Sequence, residues 1–460
     1  MPGAIRDRKS IIANANEVRD LDPREAIAAG PLSAFQLTVI GVLFCLNALD
    51  GFDVLAVSFA APGIARDWGI SPAALGFVFS LGLLGTGIGS LLIAPLADRV
   101  GRRPVIFGSL AAMAAGMLVC ALAEGPLLLS AGRLVTGAGV GALVPCISAL
   151  AAEYANRRYR DLAVMVMAVG FPVGGLLGGQ LCAWLLRHFH WNTIFIAGGV
   201  LSAIMMIAPL LFVPESMDYL ILKPSSKSLR RVNAILLSLH RSPMSSLPAG
   251  PTSAGRAGVD SFVRPSLLIL ALIITLIYGL HNATLYYALN WIPKIVVDLG
   301  LSQSQAATVA AWCSGGGIIG ALGIALLCVR FGVAALTVVL LCGAAALLCV
   351  FSRTAGDMTL LVAAAAALGV FLYGAQASLY ALMTKSFPVP VRATGVGIVT
   401  GIGRLGGVVS PAVSGHLLGA GLPHPQVSMV MALGSLFGAG ILLLHNISRA
   451  KHEPYGPLGG

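Results

Sequence analysis

Two aspartates stand in the middle of an apolar run, in the stretch Asn47-Ala48-Leu49-Asp50-Gly51-Phe52-Asp53. The run extends from Phe35 to Pro62, and about 20 apolar helical residues suffice to cross a bilayer. Each acid at the bilayer centre opposes insertion by about 2.5–3.5 kcal/mol, so both are expected to face protein or a wet passage instead of lipid. A spacing of three puts Asp50 and Asp53 on one helical face. Carboxylates held that close do not both stay ionised cheaply, which points to proton uptake and release; the plain alternative is a packing role for one of them. Arg404 is the natural counterpart. It lies about three turns into another apolar run, too deep to snorkel, and its guanidinium suits bidentate grip of a carboxylate, either an external one or a permanent protein partner. Arg133, early in a third run and followed by Gly137, Gly139 and Gly141, is a second buried cation, expected to act electrostatically on the two aspartates.

A polar and aromatic stripe completes the set. Tyr278, Asn282, Tyr286 and Asn290 recur every four residues, with His281, Tyr287 and Trp291 beside them, and Tyr373, Gln376 and Tyr380 share a face elsewhere. A core stripe would be aliphatic, whereas rings with hydrogen-bonding ends suit a flat, hydroxylated ring. Tyr287 and Trp291 also fit a membrane-interface belt. Between two runs, Ala97-Asp98-Arg99-Val100-Gly101-Arg102-Arg103-Pro104 forms a short turn. Asp98, Arg99, Gly101, Arg102 and Arg103, with Glu153, Arg160 and Arg392, are read as a latch of ion pairs that re-form between conformations. Glycines at four-residue spacing, Gly170, Gly174 and Gly178 and then Gly397, Gly401, Gly403 and Gly407, permit close helix contact and are expected to be sliding surfaces.

These residues must be positioned by membrane helices. Of 460 residues, 57% are hydrophobic and 10% charged, against about 25% charged in soluble domains. Apolar spans are expected near 35–62, 71–97, 104–123, 127–153, 161–186, 191–213, 265–293, 303–329, 332–352, 357–384, 391–418 and 424–446. The net charge of +11 collects in alternate loops, a topological pattern that argues against nucleic-acid binding and places both termini and the central loop in the cytoplasm. Residues 1–30 are polar and basic with no early apolar core, so the first span is expected to be its own insertion signal. The eight cysteines lie in or beside apolar runs, with no disulfide or metal spacing.

The two halves resemble each other. Pro62 followed by Asp67-Trp68-Gly69-Ile70-Ser71 is matched by Pro293 followed by Asp298-Leu299-Gly300-Leu301-Ser302. Glu153, Arg160 and Gly174-Gly175 are matched by Lys385, Arg392 and Gly406-Gly407. The expected fold is therefore an all-α membrane protein of twelve transmembrane helices in two pseudo-symmetric six-helix bundles. Its divisions are a cytoplasmic tail over 1–34, bundles over 35–213 and 265–446, a linker over 214–264 and a second tail over 447–460. In this register Asp50 falls opposite His281.

The twelve spans, the repeat and the turn around Asp98 resemble the major facilitator superfamily, whose signature there is Gly-x-Leu-Ala-Asp-Arg-x-Gly-Arg-Arg. Ala94 replaces the first glycine, and the second-half turn Val329-Arg330-Phe331-Gly332 lacks the acid. Pro214-Glu215-Ser216 is similar to that superfamily too. Within it, Asp50-Gly51-Phe52-Asp53 resembles the Asp-Gly-x-Asp mark of aromatic acid:proton symporters, as do Arg392-Ala393-Thr394-Gly395-Val396-Gly397, Gly403-Arg404-Leu405-Gly406-Gly407 and Asn290-Trp291-Ile292-Pro293. The resemblance implies import of an aromatic carboxylate with protons by a monomer in a bacterial-type cytoplasmic membrane, without cofactor or metal. The competing readings are a proton-antiport exporter on the same fold, a membrane acyltransferase using His281 with Asn282, and a non-transporting sensor.

Overall fold

The computed structural model describes residues 22–248, 265–354, 357–388 and 391–452. Residues 1–21 and 453–460 of the expected tails and 249–264 of the expected linker lie outside the described residues. Among the described residues, twelve helices are long and apolar enough to span a membrane. They are α1 (Ala34–Trp68), α2 (Pro72–Val100), α3 (Arg102–Ala121), α4 (Pro126–Tyr154), α5 (Arg160–His188), α6 (Asn192–Phe212), α7 (Pro265–Asp298), α8 (Gln303–Phe331), α9 (Val333–Phe351), α10 (Met358–Ser386), α11 (Arg392–Gly419) and α12 (His424–His452). Threading alternate helices in opposite directions gathers the Arg-rich turns on one face, called here the basic face.

Local chemistry sets the helix ends. Ser33 with Gln36 and Ser302 with Gln305 form capping boxes that start α1 and α8, satisfying backbone donors that have no intrahelical partner. Gly69 ends α1 at φ 59°, and Gly300 follows α7 at φ 94°. Gly101 and Gly332, at φ 100° and 75°, turn the chain from α2 into α3 and from α8 into α9. Only glycine takes these conformations without strain. Both pairs stand in the register of the sequence repeat, so the matching turns each use a glycine at positive φ in the same place.

The packing partners repeat in the same way. Within the first half α1 lies on α5, α2 on α4, and α3 on α4 and α6; within the second α7 lies on α11, α8 on α10, and α9 on α10 and α12. Between halves, α2 meets α11, α5 meets α8, and α1 meets α7. Exchanging each helix for its counterpart leaves this set unchanged, which is the property of two bundles related by an axis along the membrane normal.

The seam is closed on the face opposite the basic loops. There Gly76 of α2 abuts the Pro411 carbonyl of α11, Gly179 of α5 faces Ala311 of α8, and the Ser304 hydroxyl donates to the Ala183 carbonyl at 2.6 Å. These seam glycines are neighbours of the ones singled out in the sequence. Gly170, Gly174 and Gly178 pack on Phe44, Ala48 and Phe52 of α1, and Gly403 and Gly407 on Tyr278 and Tyr286 of α7. They bind helices within a bundle and are not the expected sliding surfaces, whereas Gly401 faces Leu91 of α2 in the other bundle, and Gly175 and Gly179, which the spacing did not single out, face α8.

The central connection is not helix-free. Met217–Leu222 and Ser226–Ser238 are helical, the second burying Val232, Ile235 and Leu236 at helical spacing. A short helix, Pro23–Ala28, packs beside them through Arg24 and Asp218 at 2.7 Å.

Candidate functional site

Gly51 explains how α1 presents its two acids. A side chain at this position would collide with the Phe171 backbone carbonyl of α5, so glycine lets the two helices touch where Asp50 and Asp53 flank it. The acids then diverge. Asp53, fully buried, has Oδ1 3.7 Å from Nη1 of Arg133 on α4. Arg133 is held by donating to the Asp53 carbonyl at 3.0 Å and the Val54 carbonyl at 3.4 Å. Asp50, 3% exposed, interacts electrostatically with both Asp53 and Arg404, the latter on α11 across the seam.

Arg404 is the centre of the second-half contribution. It is half-buried although it lies well inside α11, and it interacts electrostatically with Tyr278, Tyr286, Tyr380 and Asp50. The hydroxyls of Tyr278 and Tyr380 are 3.1 Å apart, and the Gln376 amide donates to the Tyr278 hydroxyl at 3.0 Å. Asn282 donates to the Gly403 carbonyl at 3.2 Å, one residue before Arg404. Several atoms of this group are buried with no hydrogen-bond partner: Asp50 Oδ1, both Asp53 carboxylate oxygens, Arg133 Nε, Arg404 Nη1, Asn282 Oδ1 and Gln376 Oε1. Unpaired buried polar atoms each cost about 1–3 kcal/mol, and their recurrence among these interacting side chains marks a site built for something polar.

Asn290 links the two sides. It accepts from the Ser58 hydroxyl of α1 at 3.0 Å and donates to the Tyr286 carbonyl at 2.7 Å. It also lines a cavity of about 10 Å³ shared with Asp53 and Arg133, at the margin for a single water. Pro62 and Pro293 stand one turn beyond this crossing, where a missing backbone N–H frees the carbonyl four residues earlier in each helix. Trp291 packs edge-on to Phe79 of α2 with centroids 5.6 Å apart, plugging the seam. Tyr373 lies against Phe171 of α5 and within 3.5 Å of the Ser314 hydroxyl of α8.

Three expectations change. His281 is turned away from the seam: its ring nitrogens meet the Ser435 hydroxyl at 2.9 Å and the Leu372 carbonyl at 3.1 Å, so it fastens α7 to α12 and α10. Being opposite Asp50 in the repeat does not make it face Asp50. Tyr287 and Trp291 are no interface belt, since both are fully buried and the Tyr287 hydroxyl meets Ser428 at 2.8 Å. The ion pair of Arg102 with Glu153 forms, yet it joins α3 to α4 inside one bundle and so does not itself bridge the seam.

The basic-face cluster centres on a residue outside the expected latch. Glu215 accepts from the backbone N–H groups of Arg102 at 2.7 Å, Arg103 at 3.2 Å and Ser216 at 3.0 Å, neutralising the positive end of α3. Its carboxylate occupies the space a Gly101 side chain would need, and the Tyr154 hydroxyl donates to its carbonyl at 2.6 Å. Arg103 donates to the Pro209 and Leu210 carbonyls, and Lys223 to the Arg99 carbonyl. Asp98, Arg99 and Arg160 have exposed side chains, and exposed Arg392 donates to the Phe387 carbonyl at 3.3 Å. The sequence signal for Glu215 was Pro214-Glu215-Ser216; Ser58 gave none, being one hydroxyl in an apolar run.

The profile of the Major Facilitator Superfamily matches residues 43–411 and 272–459. The chain belongs to this superfamily. It is 32% identical over 445 residues to a gallate transporter of Pseudomonas putida, covering 94% of this chain and 97% of that one. It is 30% identical over 439 residues to the 4-hydroxybenzoate transporter PcaK of Pseudomonas aeruginosa, covering 94% and 98%. Among solved structures, a D-xylose-proton symporter superposes with a TM-score of 0.69 at 16% identity, covering 88% of this chain and 97% of that one, a likeness of fold. The superfamily member is thus an integral membrane transporter and not an enzyme, which removes the acyltransferase reading.

Proposed function

We propose that this transporter imports an aromatic carboxylate of the hydroxybenzoate class together with protons, by alternating access between the bundles over 35–213 and 265–446. The observation that carries the reading is the electrostatic interaction of Asp50 with Arg404 across the seam, both with unsatisfied buried atoms. The likeness to gallate and 4-hydroxybenzoate transporters supports the ligand class. With the basic face in the cytoplasm, both termini are cytoplasmic, the membrane is the inner one of a bacterial-type cell, and the closed seam faces outward. The protein acts as a monomer.

In this mechanism a proton on Asp50 cancels its hold on Arg404, and the guanidinium then grips the incoming carboxylate. Tyr278, Tyr286, Tyr380 and Gln376 supply ring faces and hydrogen-bonding ends around it. Asp53 with Arg133 forms the proton site behind, and Asn290 touches both sites. Loading one proton with one monoanion moves no net charge, so the membrane potential contributes only if a further proton travels. Binding of both partners lets the bundles rock, with Arg102, Glu153 and Glu215 keeping the first bundle's basic end rigid.

The test is uptake of labelled benzoates, hydroxybenzoates and phenylpropanoids by cells, with and without a protonophore. Protonophore-sensitive accumulation is expected in the wild type, with loss in Asp50→Asn and Asp53→Asn. Arg404→Gln is expected to weaken binding about 10- to 100-fold, the worth of a charge-assisted pair. Unchanged uptake in both aspartate variants would remove the proton role, and proton-driven extrusion of the label would replace import by export.

A further inference from the structure

The outward face of the closed seam holds a cavity of about 1040 Å³, separated from Arg404 by the Ser58–Asn290 hydrogen bond and the Phe79–Trp291 contact. Cations are scarce on this face, as the positive-inside bias requires. In the described part of the outer loops and helix ends they are Arg66, Arg187, Lys294 and Arg353. Three of these, Arg66, Arg187 and Lys294, line the one cavity, together with the N-terminal turns of α2 and α8 at Pro72 and Gln303. A topological signal alone would scatter them.

The two acids nearby are already engaged. Asp67 accepts from Arg66 and Trp191, each at 2.9 Å, and meets the His190 ring at 2.5 Å; Asp298 meets Lys294 and, at 2.7 Å, the His424 ring. Arg187, in contrast, is exposed and makes no hydrogen bond or ion pair with any described residue. Two residues along the chain Phe189, also lining the cavity, packs against the Trp184 and His188 rings with centroids 5.9 and 6.4 Å away, yet leaves 54% of its surface exposed. A free guanidinium and a partly exposed aromatic ring lining one cavity are the pair of groups that a benzoate-type anion needs, one for the carboxylate and one for the ring.

We propose that this outer cavity is a waiting site for the transported aromatic monoanion, with Arg187 holding the carboxylate and Phe189 the ring. The proposal rests on the aromatic-carboxylate reading of the transporter. The site is open and wet, so it binds weakly and raises the local substrate concentration before the seam opens. Arg66 and Lys294, each shared with an acid, add a background field and no dedicated contact.

The experiment measures initial uptake of labelled 4-hydroxybenzoate against concentration and added salt. Arg187→Gln is expected to raise KM roughly threefold to tenfold, the effect of one exposed charge in a focused field, with the saturated rate unchanged. Its KM should also lose most of the wild-type rise with salt, because the screened partner is gone. Arg187→Lys should restore the salt dependence. Phe189→Leu should raise KM while keeping the salt slope, and efflux from preloaded vesicles should show the wild-type KM in every variant. A wild-type KM and salt slope in Arg187→Gln would overturn the proposal, as would a fall in the saturated rate at constant KM. A wild-type protein that takes up none of the aromatic acids would instead overturn the functional reading.

Discussion

The two bundles share a backbone plan and divide the chemistry between them. The first contributes acids: Asp50 and Asp53 on α1, with Arg133 of α4 held against Asp53. The second contributes a cation and rings: Arg404 on α11, with Tyr278 and Tyr286 on α7 and Tyr380 on α10. Their basic-face ends differ as well. α2 passes through a π-turn at Gly89–Ile93 and a 3-10 turn at Ala94–Leu96 before Gly101, where Glu215 caps the next helix. Its counterpart α8 runs unbroken to Phe331. A duplicated scaffold thus fixes where helices turn and cross, while Asp50 of one bundle and Arg404 of the other bring opposite charges to the seam. In the proposed symport a proton and a substrate carboxylate would satisfy them together.

The comparison breaks most sharply at the glycine contacts. Gly51→Ala drives a methyl into the Phe171 carbonyl, and Gly406→Ala drives one into the Gly279 carbonyl at the corresponding α7–α11 contact. Backbone cannot yield as a side chain does, so each variant should lose about 1–3 kcal/mol of stability and nearly all transport. Gly41→Ala, with open space around it, should match the wild type in thermal unfolding and uptake. Tolerance of the change at Gly406 alone would show that the halves differ in stiffness despite their shared plan.

A smaller effect is expected at the basic-face ends. Glu215→Ala leaves the Arg102, Arg103 and Ser216 N–H groups without their acceptor and should destabilise the protein by about 1–3 kcal/mol, read as a lower unfolding midpoint. Arg330→Gln at the end of α8, whose exposed guanidinium only stacks on Phe331 at 5.9 Å, should stay within about 0.5 kcal/mol of wild type. Equal losses would mean that the two ends are held alike.

The smallest effect concerns the seam. Ser58→Ala removes one hydrogen bond between the bundles, about 1 kcal/mol, and should raise the outward-open population roughly fivefold. A cysteine at Ala183, a buried position on α5 whose carbonyl meets Ser304 of α8 across the seam, reports it: in Ala183→Cys with the native cysteines replaced, an impermeant maleimide added outside should label it correspondingly faster. Unchanged labelling would mean that Ser58 and Asn290 do not hold the seam closed.

Much of this was legible from residue types. A carboxylate or guanidinium deep in an apolar run has few tolerable environments, so Asp50, Asp53, Arg133 and Arg404 announced themselves, and Arg133 indeed lies against Asp53. His281 was misread for a related reason. An imidazole is neutral enough to be a packing residue once both nitrogens find partners, and those partners, Ser435 and the Leu372 carbonyl, come from helices over ninety residues away. Glu215 was visible only as part of a short motif, because its role depends on backbone N–H groups that carry no sequence signature. Tyr287 and Trp291 looked equally suited to a lipid interface, since an amphipathic ring reads the same wherever its polar end finds a partner.

By itself the sequence determined the number of spanning helices, the repeat and the face on which basic loops gather, because hydropathy, glycine turns and charge asymmetry act locally along the chain. Tertiary structure alone decided that Asp50 comes within electrostatic reach of Arg404 across the seam while Asp53 lies against Arg133 of its own bundle, that one glycine stripe binds within a bundle and its neighbour faces the other, and that Ser58 reaches Asn290. The reason is rotational. A step of one residue on a helix turns a side chain by about 100°, so the neighbour each group meets is set by helix packing angles that no local pattern encodes.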